Sequence, residues 1–182
     1  MRSFATTVTA LAAVLLLPGC SVVDGLSGKA GSPSEERTCT AEFHIAGNSS
    51  SLGSGVRFQY ALEDAVKGNQ PTNLDRLAQT AGWTGKWDRI VDLFPGVTAE
   101  DLERITGITG MCWKSLPTKD SGSEQQYGYY LFLDGNDPVQ TIPWTSDIKY
   151  LEFGDAGVVR RDAELAPTRG RVTGGRVLAP TG

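Results

Sequence analysis

His44 is the only histidine in the chain and lies two residues from Glu42, so one surface of the segment could hold an acid and a base side by side. An imidazole titrates at about 6.5 and can shuttle protons near neutral pH. Catalysis would also need a nucleophile, and no G-x-S-x-G elbow supplies one. His44 and Glu42 are therefore weak catalytic candidates beside a solvated strand face. Asp134-Gly135-Asn136-Asp137 offers several oxygens in one turn. Calcium takes roughly six to eight oxygen ligands, and an EF-hand loop continues to a glutamate; here Pro138 and Val139 begin a strand instead, and a hairpin turn explains the cluster. Glu42, Asp88, Asp92, Asp134 and Asp137 could furnish a carboxylate pair for glycoside hydrolysis only if the fold brought two of them together. The stronger signal is aromatic: Trp83, Trp87, Trp113, Trp144, Tyr127, Tyr129 and Tyr130. In the strand-like run from Tyr127 to Leu133, Tyr129 and Leu131 share one face and Tyr130 and Phe132 the other. Both faces are apolar, so each needs a cover. Core filling takes some of these rings. A binding patch of Tyr130, Phe132 and Trp144 with Asp134 and Asp137 is the sequence-level candidate for the rest.

The chain opens on Met1-Arg2-Ser3 and an apolar stretch from Val8 to Leu17, without an acidic residue. A spanning helix needs about 20 mostly apolar residues, and this stretch breaks at Pro18-Gly19, which is the shape of a signal peptide over residues 1–19. Leu17-Pro18-Gly19-Cys20 resembles the lipobox of bacterial lipoprotein precursors. The resemblance implies that Cys20 receives a diacylglyceryl thioether and becomes the first mature residue, anchoring the chain to the cell membrane on its extracytoplasmic side. Palmitate-type chains contribute about 0.8 kcal/mol per buried methylene, and more than one chain makes the anchoring durable. Ordinary secretion is the alternative. Residues 20–36 are rich in Ser and Gly and read as a flexible tether.

With Cys20 acylated, Cys39 and Cys112 remain as an even pair in an oxidising compartment, where a disulfide is expected. One histidine and no C-x-x-C argue against a metal or redox site, and no cofactor is expected. The net charge of −4 offers no basic field for nucleic acid. The charge is uneven, however: the chain is acidic to Val159 and then carries Arg160, Arg161, Arg169, Arg171 and Arg176, a stretch that could touch an anionic surface or simply be solvated.

The elements that must position these residues read as follows. Cys39 to Ile45 alternates like a half-buried strand, and Gly47 to Gly55 reads as a wide surface loop. Phe58, Leu62, Ala65 and Val66 recur at helical spacing over 56–67. Thr72 with Asp75 has the form of a cap for a second helix that Gly82 closes. The run 87–94 fits either a helix or a strand; Pro95-Gly96 and a fresh capping pair, Thr98 and Asp101, favour a strand followed by a helix ending at Gly107. Met111 to Trp113 is a short strand that would bring Cys112 to Cys39. Tyr127–Asp134 and Val139–Trp144 make one hairpin around Gly135-Asn136, and Ile148–Phe153 with Val158–Arg161 a second. Residues 163–182 read as an irregular basic tail. The pattern predicts one α+β domain over 37–162, an antiparallel sheet with short helices packed on one face. The segment from Trp87 through Pro95 and Thr98 to Gly107 is similar to a pattern in uncharacterised bacterial exported proteins, which implies an exported α+β module. The functions compatible with all this are a lipid-anchored module that binds an envelope protein or a small ligand, a small envelope hydrolase, and a structural envelope lipoprotein.

Overall fold

The computed structural model describes residues 38–47, 51–119, 122, 125–171 and 174–181; the leader, Cys20 and the tether lie outside them. In chain order the elements are β1 (Ala41–His44), α1 (Gly55–Lys67), β2 (Thr72–Asn73), α2 (Leu74–Thr80), β3 (Arg89–Leu93), α3 (Ala99–Thr106), β4 (Met111–Lys114), β5 (Tyr127–Asp134), β6 (Asp137–Thr145), β7 (Val158–Arg160), β8 (Glu164–Arg169) and β9 (Arg176–Pro180). The class is α+β. A four-stranded antiparallel sheet in the order β6-β5-β3-β7 forms its centre.

The run after Trp87 is a strand, β3, and its register sets the layers: Ile90 faces Phe132, Val91 faces Leu131 and Leu93 faces Tyr129. Successive side chains alternate across a sheet. Ile90, Tyr130 and Phe132 therefore enter one apolar cluster with Phe58 and Leu62 of α1 and Leu77 of α2. Val91, Leu93, Leu131 and Leu133 enter a second cluster with Phe43 of β1, Leu102 of α3 and Trp113 of β4. Helices α1 and α2 thus cover one face, and α3 joins a two-stranded parallel ribbon, β1-β4, over the other. Phe43 and Ile45 are buried as the alternation demands, while Ala41 is exposed at the ribbon's start.

Cys39 and Cys112 form a disulfide with Cα atoms 5.5 Å apart. It lies at the start of the parallel ribbon, which on its own pairs only four residues on each strand. Helix starts and stops follow local chemistry. Thr98 and Asp101 make a reciprocal capping box for α3, and Gly107 ends it at φ 75°, a left-handed conformation suited to glycine. The cap of α2 is Asn73, whose side chain accepts from the Arg76 N–H at 2.8 Å. Thr72 lies one residue before the cap and pairs with Leu165 in β2-β8.

The helices expected on one face of the sheet lie on both, and three further sequence expectations are corrected. The segment from Gly47 to Gly55 is not a wide loop at its far end: Leu52 is buried, its N–H donates to the buried Gln140 side chain at 2.6 Å, and Gly53 lies too close to Trp83 for a Cβ. Ser51 donates to the Val139 carbonyl and Gln59 to the Pro143 carbonyl, so side chains close the outer edge of β6. The second hairpin does not form. β7 pairs with β3, while Leu151 and Phe153 turn into the first cluster and Glu152 and Tyr150 exchange backbone bonds with Leu178. The last residues are not an irregular tail either: β8 and β9 pair over five positions and bury Leu165, Val177 and Leu178, so the domain runs past residue 162. Pro167 and the glycines hid this, yet Pro167 stands in a strand and the glycines form its turn.

Removing both cysteines of the disulfide, Cys39→Ser with Cys112→Ser, is expected to lower unfolding stability by about 4 kcal/mol on the loop-entropy account for so long a closed loop. Denaturant unfolding of the oxidised parent against the double variant measures it.

Candidate functional site

The aromatic patch read from the sequence is a core. Tyr130 and Phe132 are 0% exposed and Trp144 is 2% exposed, so none of them presents a binding surface. Phe132 meets Phe58, Trp83 and Trp87 edge-on, with ring centroids 4.9 to 5.4 Å away. The Tyr130 hydroxyl accepts from the Leu151 N–H at 3.2 Å, and burial pushes its pKa far above the ordinary phenol value. Both faces of β5 are covered by the chain's own elements, which removes the reason to invoke a partner there. Asp134 and Asp137 sit opposite each other at the exposed hairpin turn, at the other end of the sheet from Trp144.

His44 and Glu42 are on the exposed outer side of the β1-β4 ribbon. Their side chains are 2.7 Å apart, and Lys114 stands 3.5 Å from the second Glu42 oxygen. The His44 hydrogen bond, with Lys114 close by, holds the Glu42 pKa below its usual value. This is an exposed network on the surface of the ribbon. Among the described residues no group of His, Cys, Asp or Glu is assembled to hold a metal ion.

The feature that stands out chemically is Asp92. It occupies a core-facing position of β3, on the face of Ile90 and directly opposite Tyr130. One carboxylate oxygen accepts from Lys149 Nζ at 2.6 Å, and each side chain is only 13% exposed. Lys149 follows a short 3-10 turn, Ser146–Ile148, and lies 4.2 Å from the centroid of the Trp144 ring, where the cation meets the ring's negative face. The Trp144 indole nitrogen approaches the carboxylate without completing a hydrogen bond of ordinary geometry, and Asp92 Oδ1 likewise has no donor at that standard among the described residues. Burial raises the Asp92 pKa, and Lys149 and then Trp144 offset part of that rise.

This pair forms the wall of an open cavity of about 520 Å³, lined also by Phe94, Arg104, Glu152 and Arg171. That volume falls in the range of small-ligand sites. Asp155 lines it too. Phe94 is among the few large apolar side chains that remain exposed. Arg104 is bonded to Asp101 at 2.7 Å and Arg171 lies 3.5 Å from Glu152, so the rim carries both charges in balance. Lys149 also lines a second cavity of about 470 Å³ with Lys67, Tyr150 and Arg176.

No family model matches the chain, and neither a curated protein nor a solved structure matches it.

The residues around this cavity come from β3, from α3, from the stretch 149–157 and from the β8-β9 turn. Only Asp92 carried a sequence signal: a charge inside Ile90-Val91-Asp92-Leu93, where both faces are otherwise apolar. Lys149, Glu152 and Arg171 carry none, because their approach depends on the long-range course of the C-terminal half.

A Lys149→Met variant leaves Asp92 without its cation. The expected loss is about 3 kcal/mol at neutral pH, the order found when one member of a buried pair is removed. A folded-state carboxyl pKa raised above the unfolded value means that the folded chain binds the proton more tightly; its contribution is complete below the ordinary carboxyl pKa and is lost as pH rises through the raised one. The variant raises that pKa further. Its deficit is therefore expected to shrink as pH falls towards 4, which unfolding midpoints of the two proteins from about pH 4 to 8 would show.

Proposed function

We propose that this protein is a lipid-anchored module on the extracytoplasmic side of the cell membrane, and that it binds a small polar ligand in the cavity beside Asp92. The observation that carries the reading is the largely buried Asp92–Lys149 ion pair at the wall of an open cavity of about 520 Å³. Phe94 offers an apolar contact at the rim, and Arg104, Glu152 and Arg171 offer polar ones. The Cys39–Cys112 disulfide is in keeping with an oxidising compartment, and the Leu17-Pro18-Gly19-Cys20 lipobox resemblance with an acyl anchor.

A small envelope hydrolase is the second reading, favoured by one observation: Asp92 has a raised pKa and shares its cavity with Glu152 and Asp155. The Lys149 ammonium bound to Asp92 weighs against a role as proton donor, since it favours the ionised carboxylate.

Native mass spectrometry of the protein purified from its own membranes tests the binding reading. A small-molecule adduct is expected on the parent and on Asp134→Asn, and its loss on Asp92→Asn. A parent without any adduct, or an adduct indifferent to Asp92, would sink it. In the same preparations Cys20→Ala is expected to move the chain from the membrane to the soluble fraction and to remove the diacylglyceryl mass; an unaltered mass would end the anchor reading.

A further inference from the structure

Arg169 and Arg176 face each other directly across the β8-β9 ladder, and both are exposed. Like charges at such a cross-strand pair repel. Among the described residues neither has a carboxylate at ion-pair distance: Arg169 Nε donates to the Gly174 carbonyl at 3.3 Å, and Arg176 Nη2 donates to Gly68 O and Asn69 Oδ1 at 3.0 Å each. Arg171, in the turn of the same hairpin, lines one surface cavity with Arg169, while Lys67 lines another with Arg176. Of the acids nearby, two are paired. Glu63 holds Lys67 at 2.6 Å, Glu152 holds Arg171, and Asp147 and Asp155 line the same two cavities. The tip thus keeps two guanidinium groups without a carboxylate at ion-pair distance on a chain whose net charge is −4. The hairpin gains nothing from this repulsion, since its stability comes from Leu165, Val177 and Leu178.

We propose that the β8-β9 tip is a contact surface for anionic phospholipid headgroups, with Arg169 and Arg176 as its principal cations. The proposal rests on the anchor reading in one respect only: acylation of Cys20 would raise the effective concentration of headgroups around the domain to about millimolar. Each arginine near an anionic leaflet adds only modest attraction. Under tethering, that suffices to turn this side of the domain towards the membrane and leave the opposite side accessible.

The test uses residues 21–182, which lack the acylated cysteine and retain all of the described packing within Arg37–Gly182. Co-sedimentation with vesicles of phosphatidylglycerol and phosphatidylcholine, against phosphatidylcholine alone, is expected to show binding to the anionic vesicles only, lost in about 0.5 M salt. Arg169→Glu with Arg176→Glu is expected to weaken it by about tenfold or more, and Arg160→Glu, outside the tip, to leave it unchanged. The single variant Arg169→Glu separates binding from folding. It replaces a like-charged pair with an opposite one, so its melting temperature is expected to hold or rise while vesicle binding falls. No binding to the anionic vesicles, equal partition onto both kinds of vesicle, or binding indifferent to the double variant, overturns the proposal. Because no acyl chain is present in this assay, its outcome is independent of whether Cys20 is lipidated.

Discussion

Two strands in the middle of the sheet, β3 and β5, are apolar on both faces. A strand of that kind cannot face water on either side, and each fully buried leucine or phenylalanine stabilises the fold by about 1.5–3 kcal/mol only if something covers it. A small domain has little chain with which to build two covers. Here one is made from α1, α2 and the late strands β8 and β9, and the other from α3 and the parallel ribbon β1-β4. The second cover is the thinner. Its two short strands come from distant parts of the chain, and the disulfide removes much of the entropy cost of holding them together.

The charged groups of interest lie where these covers end. Asp92 is placed by the alternation of β3 on the same face as Ile90, and the stretch after β6 closes over it with Lys149. A pair buried this deeply spends most of its mutual attraction on its own desolvation. It is weak evidence for a stabilising role, and its position at a cavity wall is what gives it functional weight. The sheet edges follow the same economy. Ser51 and Gln59 occupy carbonyls of β6 that would otherwise be open to another strand, and Pro143 on that strand lacks the donor a neighbour would need.

The acidic residues spread over the body of the domain, whereas Arg169, Arg171 and Arg176 gather at one hairpin because antiparallel pairing folds a basic stretch back on itself. A charge run that looks like a solvated tail in one dimension becomes a compact basic tip in three.

Local rules carried much of the architecture. The helix over 56–67, the capping box at Thr98, the glycine stop at 107, the strand at Ile90 and the hairpin at Gly135-Asn136 were legible because each rests on neighbours within a few residues. The pairing of Cys39 with Cys112 followed from cysteine number, and the doubly apolar character of β5 from alternation. Which element would cover each face was not legible. Tyr130, Phe132 and Trp144 have the same types whether they line a core or a binding patch, and only long-range packing buries them, Phe132 against Phe58, Trp83 and Trp87, and Tyr130 and Trp144 against the chain after Thr145. The same holds for Lys149 over Asp92, for Leu151 against Leu178 and for the last two strands, all of which join residues far apart in sequence. Periodicity reports which faces must be buried; the closure of long loops decides by what, and that decision belongs to the tertiary structure alone.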